Sequence, residues 1–125
     1  MEFVHTSKAP QAIGPYSQAV VHGDLIFASG QVALDPESMR IVGRNVTEQT
    51  NRALTNLAAV LEEAGAGLHT VLKTTVYLAD MADFVEMNAE YERHFGSHKP
   101  ARAAVAVREL PKQSLVEIDA VAVRR

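Results

Sequence analysis

Two apolar runs in the C-terminal third of the chain each carry a charged residue at an unexpected position. Arg102 lies within residues 100–107, and Glu117 lies within residues 115–123; both runs are otherwise rich in Ala, Val, Leu and Ile. Their length and composition predict strands that are partly or wholly buried. Because an ionised side chain is costly to bury alone, the fold must provide each charge with a counter-charge, a proton or a ligand.

The rest of the pattern predicts the element order β-β-β-α-β-α-β-β. Residues 3–5 and 71–78 predict strands, and residues 20–28 predict two strands around a Gly-Asp turn. The first helix is predicted to begin after Asn45, a good N-cap with Glu48 three residues on, and to end at Gly65. The second helix is predicted from Asp80 to Gly96, and its apolar stripe would contain Met81, Phe84, Val85, Asn88, Tyr91 and Phe95. The last two strands are interpreted as neighbours joined through residues 109–114.

This order favours one domain over residues 1–125, with an α+β architecture in which a mixed β-sheet carries two helices packed on one face. The opposite face of the sheet would be exposed. Because the strands are apolar, we expect that face to contact other subunits.

Composition disfavours several classes of function. The formal net charge is −3, and Lys and Arg form no run longer than the terminal pair, so no nucleic-acid partner is expected. The chain has no cysteine, which excludes disulfides and thiol chemistry. Its apolar stretches are too short to span a bilayer and its N-terminus lacks a signal-peptide pattern; no membrane contact and a cytoplasmic location are expected. The five histidines show no metal-ligand spacing, so no metal site is predicted.

Arg102 and Glu117 are the main candidates for chemistry. Arg102 shares a strand face with Ala104 and Ala106, which leaves room for a guanidinium to bind a carboxylate; the alternative is a rim arginine in a surface salt bridge. An unpaired Glu117 would have a raised pKa suited to acid–base work; the alternative is an edge-strand charge that opposes aggregation. A hairpin of the two strands would place the residues roughly 7 to 13 Å apart, which leaves space for a small anion.

Other polar positions are weaker candidates. Asn88 interrupts the apolar stripe of the second helix, either as a ligand contact or as a satisfied structural amide. Gly30 would allow close approach of a ligand to its backbone N–H. Ser29 does not lie in a nucleophile elbow, and Tyr16, after the Gly14-Pro15 turn, is by itself more typical of packing.

Taken together, the motifs resemble those of RidA-type reactive intermediate deaminases, also called the YjgF-like or enamine/imine deaminase family. The resemblance runs along the whole chain and is most specific in a Pro-Ala-Arg motif at residues 100–102 and a Val-Glu-Ile motif at residues 116–118. The other matching segments are residues 12–18, 29–31 and 73–76, with Asn88 and Tyr91.

The resemblance implies a homotrimer of chorismate-mutase-like fold with sites in clefts between subunits. It implies hydrolysis of 2-imino acids and their enamine tautomers, released by PLP enzymes, to 2-keto acids and ammonia, without a cofactor. Arg102 and the Gly30 N–H would hold the substrate carboxylate, and Glu117 would activate water or pass a proton to the departing nitrogen. The residues that would line the pocket are Tyr16, Ser29, Asn88 and Ala104, the last standing where many members have cysteine.

An alternative reading keeps the same cleft but removes the chemistry. In that case the protein would be a non-catalytic trimer that binds a metabolite and regulates a partner. Ribonuclease activity, a label of some relatives, is disfavoured by the acidic balance and the missing basic stripe.

Overall fold

The computed structural model describes residues 1–124 and contains one mixed sheet and two helices. The strands are β1 (Glu2–Val4), β2 (Ala19–His22), β3 (Leu25–Gln31), β4 (Val71–Leu78), β5 (Ala101–Ala106) and β6 (Val116–Val123). The helices are α1 (Val46–Glu63) and α2 (Phe84–Phe95), and short 3-10 turns cover residues 68–70, 81–83 and 111–113. The predicted element order is therefore confirmed.

The strand order across the sheet is β1-β2-β3-β6-β4-β5. Strand β6 is antiparallel to both β3 and β4, and β5 is parallel to β4. The prediction that the last two strands are neighbours in a hairpin is wrong, because β4 lies between them. The chain leaves β4 through α2 and returns in the same direction, which makes β5 a parallel edge strand. The expectation of burial also fails for β5, since Ala101, Ala103 and Val105 are exposed.

Local capping signals position the helices. The Asn45 side chain accepts a hydrogen bond from the Glu48 N–H at 2.8 Å, as predicted, while the Glu48 carboxylate accepts from the Arg44 N–H and not from Asn45. Gly65, with φ of 87°, follows the end of α1. Asp80 caps the 3-10 turn of residues 81–83 by accepting from the Ala82 N–H, so α2 begins at Phe84, later than predicted.

Both helices pack on one face of the sheet and enclose the core. Leu54, Leu57 and Ile118 are fully buried there, together with Val76 and Met87. Along β6 the residues alternate strictly, with Val116, Ile118, Ala120 and Ala122 buried beneath the helices and Glu117, Asp119, Val121 and Val123 facing away. The predicted partition of β6 into two faces is thus confirmed.

The predicted stripe of α2 is partly wrong. Met81 and Val85 are exposed, Val85 to 76%, whereas Met87 and Tyr91 are buried. The 3-10 turn before α2 advances 120° per residue instead of 100°, so the helical phase does not extend back through residue 81. Within α2 the buried stripe runs through Met87 and Tyr91, and the half-buried Asn88 lies beside this stripe without interrupting it.

The sheet face opposite the helices, called the open face below, carries large apolar side chains in contact with solvent. Phe3 is 72% exposed and Phe27 is 48% exposed, and Leu25 belongs to the same face. Among residues 1–124, neither helix is long and apolar enough to cross a membrane.

Candidate active site

The predicted site residues fall into two groups on opposite faces of the sheet. Arg102 pairs with Thr74, a fully buried residue under the helices, so Arg102 projects toward α2. Glu117 pairs with Tyr77 on the open face. We call the first group, with Arg102 and Asn88, the arginine cluster and the second group, with Glu117, Gly30, Ser29 and Tyr16, the glutamate cluster.

The Arg102 guanidinium is held by three residues of one helix face. Its Nη1 donates to Asn88 Oδ1 at 2.6 Å, and its Cζ lies 4.8 Å from the centroid of the Tyr91 ring and 5.6 Å from that of Phe84. Positions 84, 88 and 91 share a face of α2 because they are four and three residues apart. An amide acceptor and two aromatic faces each favour the cation, so the guanidinium is fixed in place.

Arg102 forms no salt bridge with any carboxylate in the part of the chain that the structure describes. The alternative reading as a rim salt bridge is therefore not supported in the single chain. The guanidinium has further N–H groups beyond the one used by Asn88, and it lines a cavity of about 270 Å³ together with His98 and Lys99. The cluster can accept a small anion.

Asn88 lines the same cavity, and its amide oxygen accepts the hydrogen bond from Arg102, so it orients the arginine. A contact of Asn88 with water or substrate stays a prediction. Ala104 lies on the same face of β5, opposite Val76, and packs against the core. Its small side chain lies beside the cluster and adds no polar group.

The Glu117 side chain lies directly against Gly30. A Cβ on Gly30 would come within 2.9 Å of Glu117 Cδ and closer still to its Oε2. Any other residue at this position would displace the Glu117 carboxyl from the place that it occupies. The structure thus assigns Gly30 a role that the sequence did not reveal, which is to make room for Glu117.

A β-bulge places Gly30 at this point. The register of β3 with β6 runs from Ala28 opposite Ala120 to Gln31 opposite Ile118, so Ser29 and Gly30 together face Asp119. The extra residue bends the strand and re-aims the side chains, as bulges beside functional sites do. The bulge therefore brings the Ser29–Gly30 backbone under the Glu117 carboxyl.

The environment of Glu117 favours its protonated form. Burial raises the pKa of the Glu117 carboxyl above its ordinary value, and the nearby negative charge of Asp119 raises that pKa further. No described residue donates a hydrogen bond to the Glu117 carboxyl. A half-buried carboxyl group with a raised pKa is suited to proton transfer near neutral pH.

Ser29 and Tyr16 line the same cavity as Glu117, which has a volume of about 660 Å³. Ser29 Oγ donates to the Ser17 carbonyl at 2.6 Å, so its hydroxyl proton is already used and only its lone pairs face the cavity. Tyr16 is 55% exposed. Lys112, in a left-handed conformation with φ of 56°, also lines this cavity.

Sequence reasoning missed Phe84, Asp119 and Lys112 as neighbours of the site. The spacing of Phe84, Asn88 and Tyr91 on one helix carried a signal for Phe84, and the alternation of β6 carried one for Asp119. The position of Lys112 depends on contacts between distant segments. Across residues 1–124 no cluster of three His, Asp or Glu side chains has the arrangement of a metal site.

The fold and the two clusters define a small α+β protein with a guanidinium on one sheet face and a half-buried carboxyl group on the other. A model of the Endoribonuclease L-PSP family matches residues 6–124. A RutC family protein of Pyrococcus abyssi is 52% identical over 97% of this chain and 95% of its own length. The human 2-iminobutanoate/2-iminopropanoate deaminase is 48% identical over 97% of this chain and 88% of its own length.

The structural comparison agrees. A crystal structure from Thermotoga maritima that carries an endoribonuclease label superposes with a TM-score of 0.97 at 49% identity, covering 100% of this chain and 98% of that one. The chain belongs to the Endoribonuclease L-PSP family, the RidA-type family whose motifs its sequence contains.

Proposed function

We propose that the protein hydrolyses 2-imino acids, such as 2-iminopropanoate and its enamine tautomer 2-aminoacrylate, to 2-keto acids and ammonia. Among its relatives, proteins named 2-iminobutanoate/2-iminopropanoate deaminase support imine deamination as the chemistry of the family. The observation that carries the proposal for this chain is the Arg102 guanidinium, which is held by an amide and two rings but pairs with no carboxylate among residues 1–124.

In this proposal Arg102 binds the substrate carboxylate. A planar guanidinium offers paired N–H groups that match the two oxygens of a carboxylate. Asn88, Phe84 and Tyr91 hold it in one orientation, so little side-chain freedom is lost when the substrate binds. The Gly30 N–H is the second predicted donor to the carboxylate.

Glu117 acts on the imine carbon and nitrogen. It positions and activates the attacking water and passes a proton to the departing nitrogen. An imine carbon is already electrophilic, so positioning and one proton carrier suffice and no nucleophilic side chain is required. Tyr16 and Ser29 shape the cavity around the reacting group.

The two clusters meet through assembly. Arg102 and Glu117 face opposite sides of the sheet, and the apolar open face is exposed in the single chain. We propose a homotrimer of chorismate-mutase-like arrangement, in which the arginine cluster of one subunit adjoins the glutamate cluster of the next. Each site would then lie in a cleft between two subunits.

The test generates 2-iminopropanoate from alanine with an amino-acid oxidase and traps the remaining imine with semicarbazide. The wild-type protein should lower the amount of imine that semicarbazide traps, whereas Arg102→Ala and Glu117→Gln should leave that amount unchanged. Arg108→Ala, which removes an exposed arginine outside both clusters, is the matched control and should retain activity. Full activity in Arg102→Ala would contradict the proposal.

The same variants separate catalysis from metabolite binding without chemistry. Binding of pyruvate by calorimetry should persist in Glu117→Gln and disappear in Arg102→Ala. If the wild-type protein binds pyruvate tightly but never accelerates imine decay, the non-catalytic regulatory trimer is the better description.

A further inference from the structure

Asp119 is a carboxylate beside the glutamate cluster, and its position is fixed by strand β4. Its Oδ1 accepts from the Thr75 backbone N–H at 3.1 Å, and its Oδ2 accepts from the Tyr77 hydroxyl at 3.2 Å. Burial and the negative charge of Asp119 raise the pKa of Tyr77, so the hydroxyl stays protonated and remains a donor. Two donors from neighbouring positions hold both oxygens of this carboxylate.

Glu117 and Asp119 lie on the same face of β6, beside the bulge in β3. Both residues project from the open face of β6, two positions apart. The Glu117 carboxyl lies against Gly30, and Gly30 together with Ser29 faces Asp119 across the strand pair. The free carboxyl of Glu117 and the fixed carboxylate of Asp119 therefore occupy neighbouring places on the same surface.

Other charged and titratable groups face Glu117 from the surrounding elements. Strand β4 contributes Tyr77, opposite Glu117, and Lys73, four residues away on the same face, whose Nζ donates to Thr75 Oγ1 at 3.4 Å. The lining of the cavity contributes Tyr16 and the exposed Lys112. Strand β3 contributes only the uncharged Ser29, Gly30 and Gln31. Asp119 is the one carboxylate that faces Glu117 in the described part of the chain.

We propose that Asp119 is a positioning residue of the deamination site, whose fixed negative charge keeps a proton on Glu117 so that Glu117 begins the reaction as an acid. The proposal rests on the imine deamination proposed above. It explains why Asp119, which does not line the cavity, is held by two donors next to Glu117, which does.

The proton balance of the reaction fits an acid at the start. Protonated Glu117 gives its proton to the imine nitrogen, and the resulting carboxylate takes a proton from the attacking water as the C–O bond forms. Glu117 then protonates the amino group, the C–N bond breaks, and ammonia leaves. The oxygen of the new keto group returns its proton to Glu117. The sum is imine plus water to keto acid plus ammonia, and Glu117 is protonated again.

The test is the pH dependence of kcat/KM for imine hydrolysis in Asp119→Asn. Loss of the negative charge should move the high-pH limb toward lower pH by about one unit, because same-face residues on a strand lie only about 7 Å apart. Relative to its own activity below the limb, the variant should lose about tenfold more activity above the limb than the wild-type protein loses. Asp119→Glu, which keeps the negative charge, should leave the high-pH limb at its wild-type position. Asp119→Ser serves as a second neutral variant in case Asp119→Asn does not fold.

A direct titration separates this proposal from the proposed function. The Glu117 carboxyl is followed by carbon-13 NMR in protein labelled at glutamate carboxyls, with Glu117→Gln used for assignment. A lower titration midpoint in Asp119→Asn supports the role of Asp119 even if no imine is hydrolysed. An unchanged midpoint, or an Asp119→Glu variant that behaves like Asp119→Asn, would overturn it.

Discussion

Arg102 and Glu117 lie on opposite faces of one sheet, with strand β4 between the strands that carry them. Thr74 lies opposite Arg102, and Tyr77, further along β4, lies opposite Glu117. At ordinary strand spacings the backbones of Arg102 and Glu117 are therefore roughly 14 Å apart. A small imino acid cannot touch both residues within one chain. Any reaction that needs both must use more than one copy.

Mixing two inactive variants should therefore restore activity. When Arg102→Ala and Glu117→Gln subunits are co-expressed, about one quarter of the inter-subunit sites in a random closed ring combine an intact arginine with an intact glutamate. We expect the purified mixture to show activity near that fraction of wild type, while each variant alone is inactive. A doubly substituted protein mixed with wild type provides the control, and a mixture without activity would contradict a shared site.

The contact between Gly30 and Glu117 predicts strong coupling between these positions. Gly30→Ala should lower kcat/KM by at least tenfold, because the new methyl group displaces the Glu117 carboxyl. It should also destabilise the protein by on the order of 1 kcal/mol through overpacking. In a Glu117→Ala background the same substitution should cost little stability. Urea unfolding of all four proteins measures the coupling, and additive effects would show that the contact is unimportant.

Asn88 is predicted to act through Arg102. Asn88→Ala removes the 2.6 Å hydrogen bond and leaves the guanidinium less well oriented. We expect KM to rise by about tenfold, corresponding to the loss of one charge-assisted hydrogen bond, with a smaller change in kcat. Val85→Ala is the matched control, since Val85 is an exposed residue of the same helix and should leave KM unchanged. A tenfold fall in kcat with an unchanged KM would show that Asn88 does not act through substrate binding by Arg102.

The raised pKa of Glu117 predicts how stability depends on pH. In the folded protein, burial and then the charge of Asp119 raise the pKa of Glu117 above its ordinary value of 4.5. The proton on Glu117 therefore stabilises the fold fully at a pH below 4.5. This contribution is lost as the pH rises through the raised pKa. Glu117→Gln, which stays neutral, should match wild type at pH 4 and unfold at a higher temperature than wild type at pH 8.

Thermal unfolding at fixed protein concentration provides the measurement. The exposed Glu37→Gln variant controls for the loss of one charge. A Glu117→Gln variant that is less stable than wild type at pH 8 would show that Glu117 is stabilised in its ionised form, contrary to the environment described above.

Local features were predictable because their causes lie close together in the chain. Asn45 caps α1 through a residue three positions away, and the alternation of β6 alone separates Glu117 from Ile118. The neighbours of β5 and β6 were not predictable in this way. The pairing of strands depends on where the chain returns after α2, and an apolar pattern is compatible with several orders.

The sequence singled out candidate residues for the site but carried no information on their arrangement. Face periodicity placed Arg102 and Glu117 correctly within their own strands, yet it carries no information on how two separate strands face each other. The contact of Glu117 with Gly30 arises from a bulge, and the phase of α2 was changed by a 3-10 turn. Both are irregularities that hydrophobic periodicity does not register.

The parallel pairing of β4 and β5 places the arginine cluster within one continuous segment of the chain. The continuous segment from residue 71 to residue 106 contains every member of the arginine cluster, and the glutamate cluster is drawn entirely from the segments on either side. A chimera that exchanges this segment with that of a relative would therefore transfer the arginine cluster as one unit. It would also exchange Thr75 and Tyr77, the two donors to Asp119, so the two sheet faces are linked through β4.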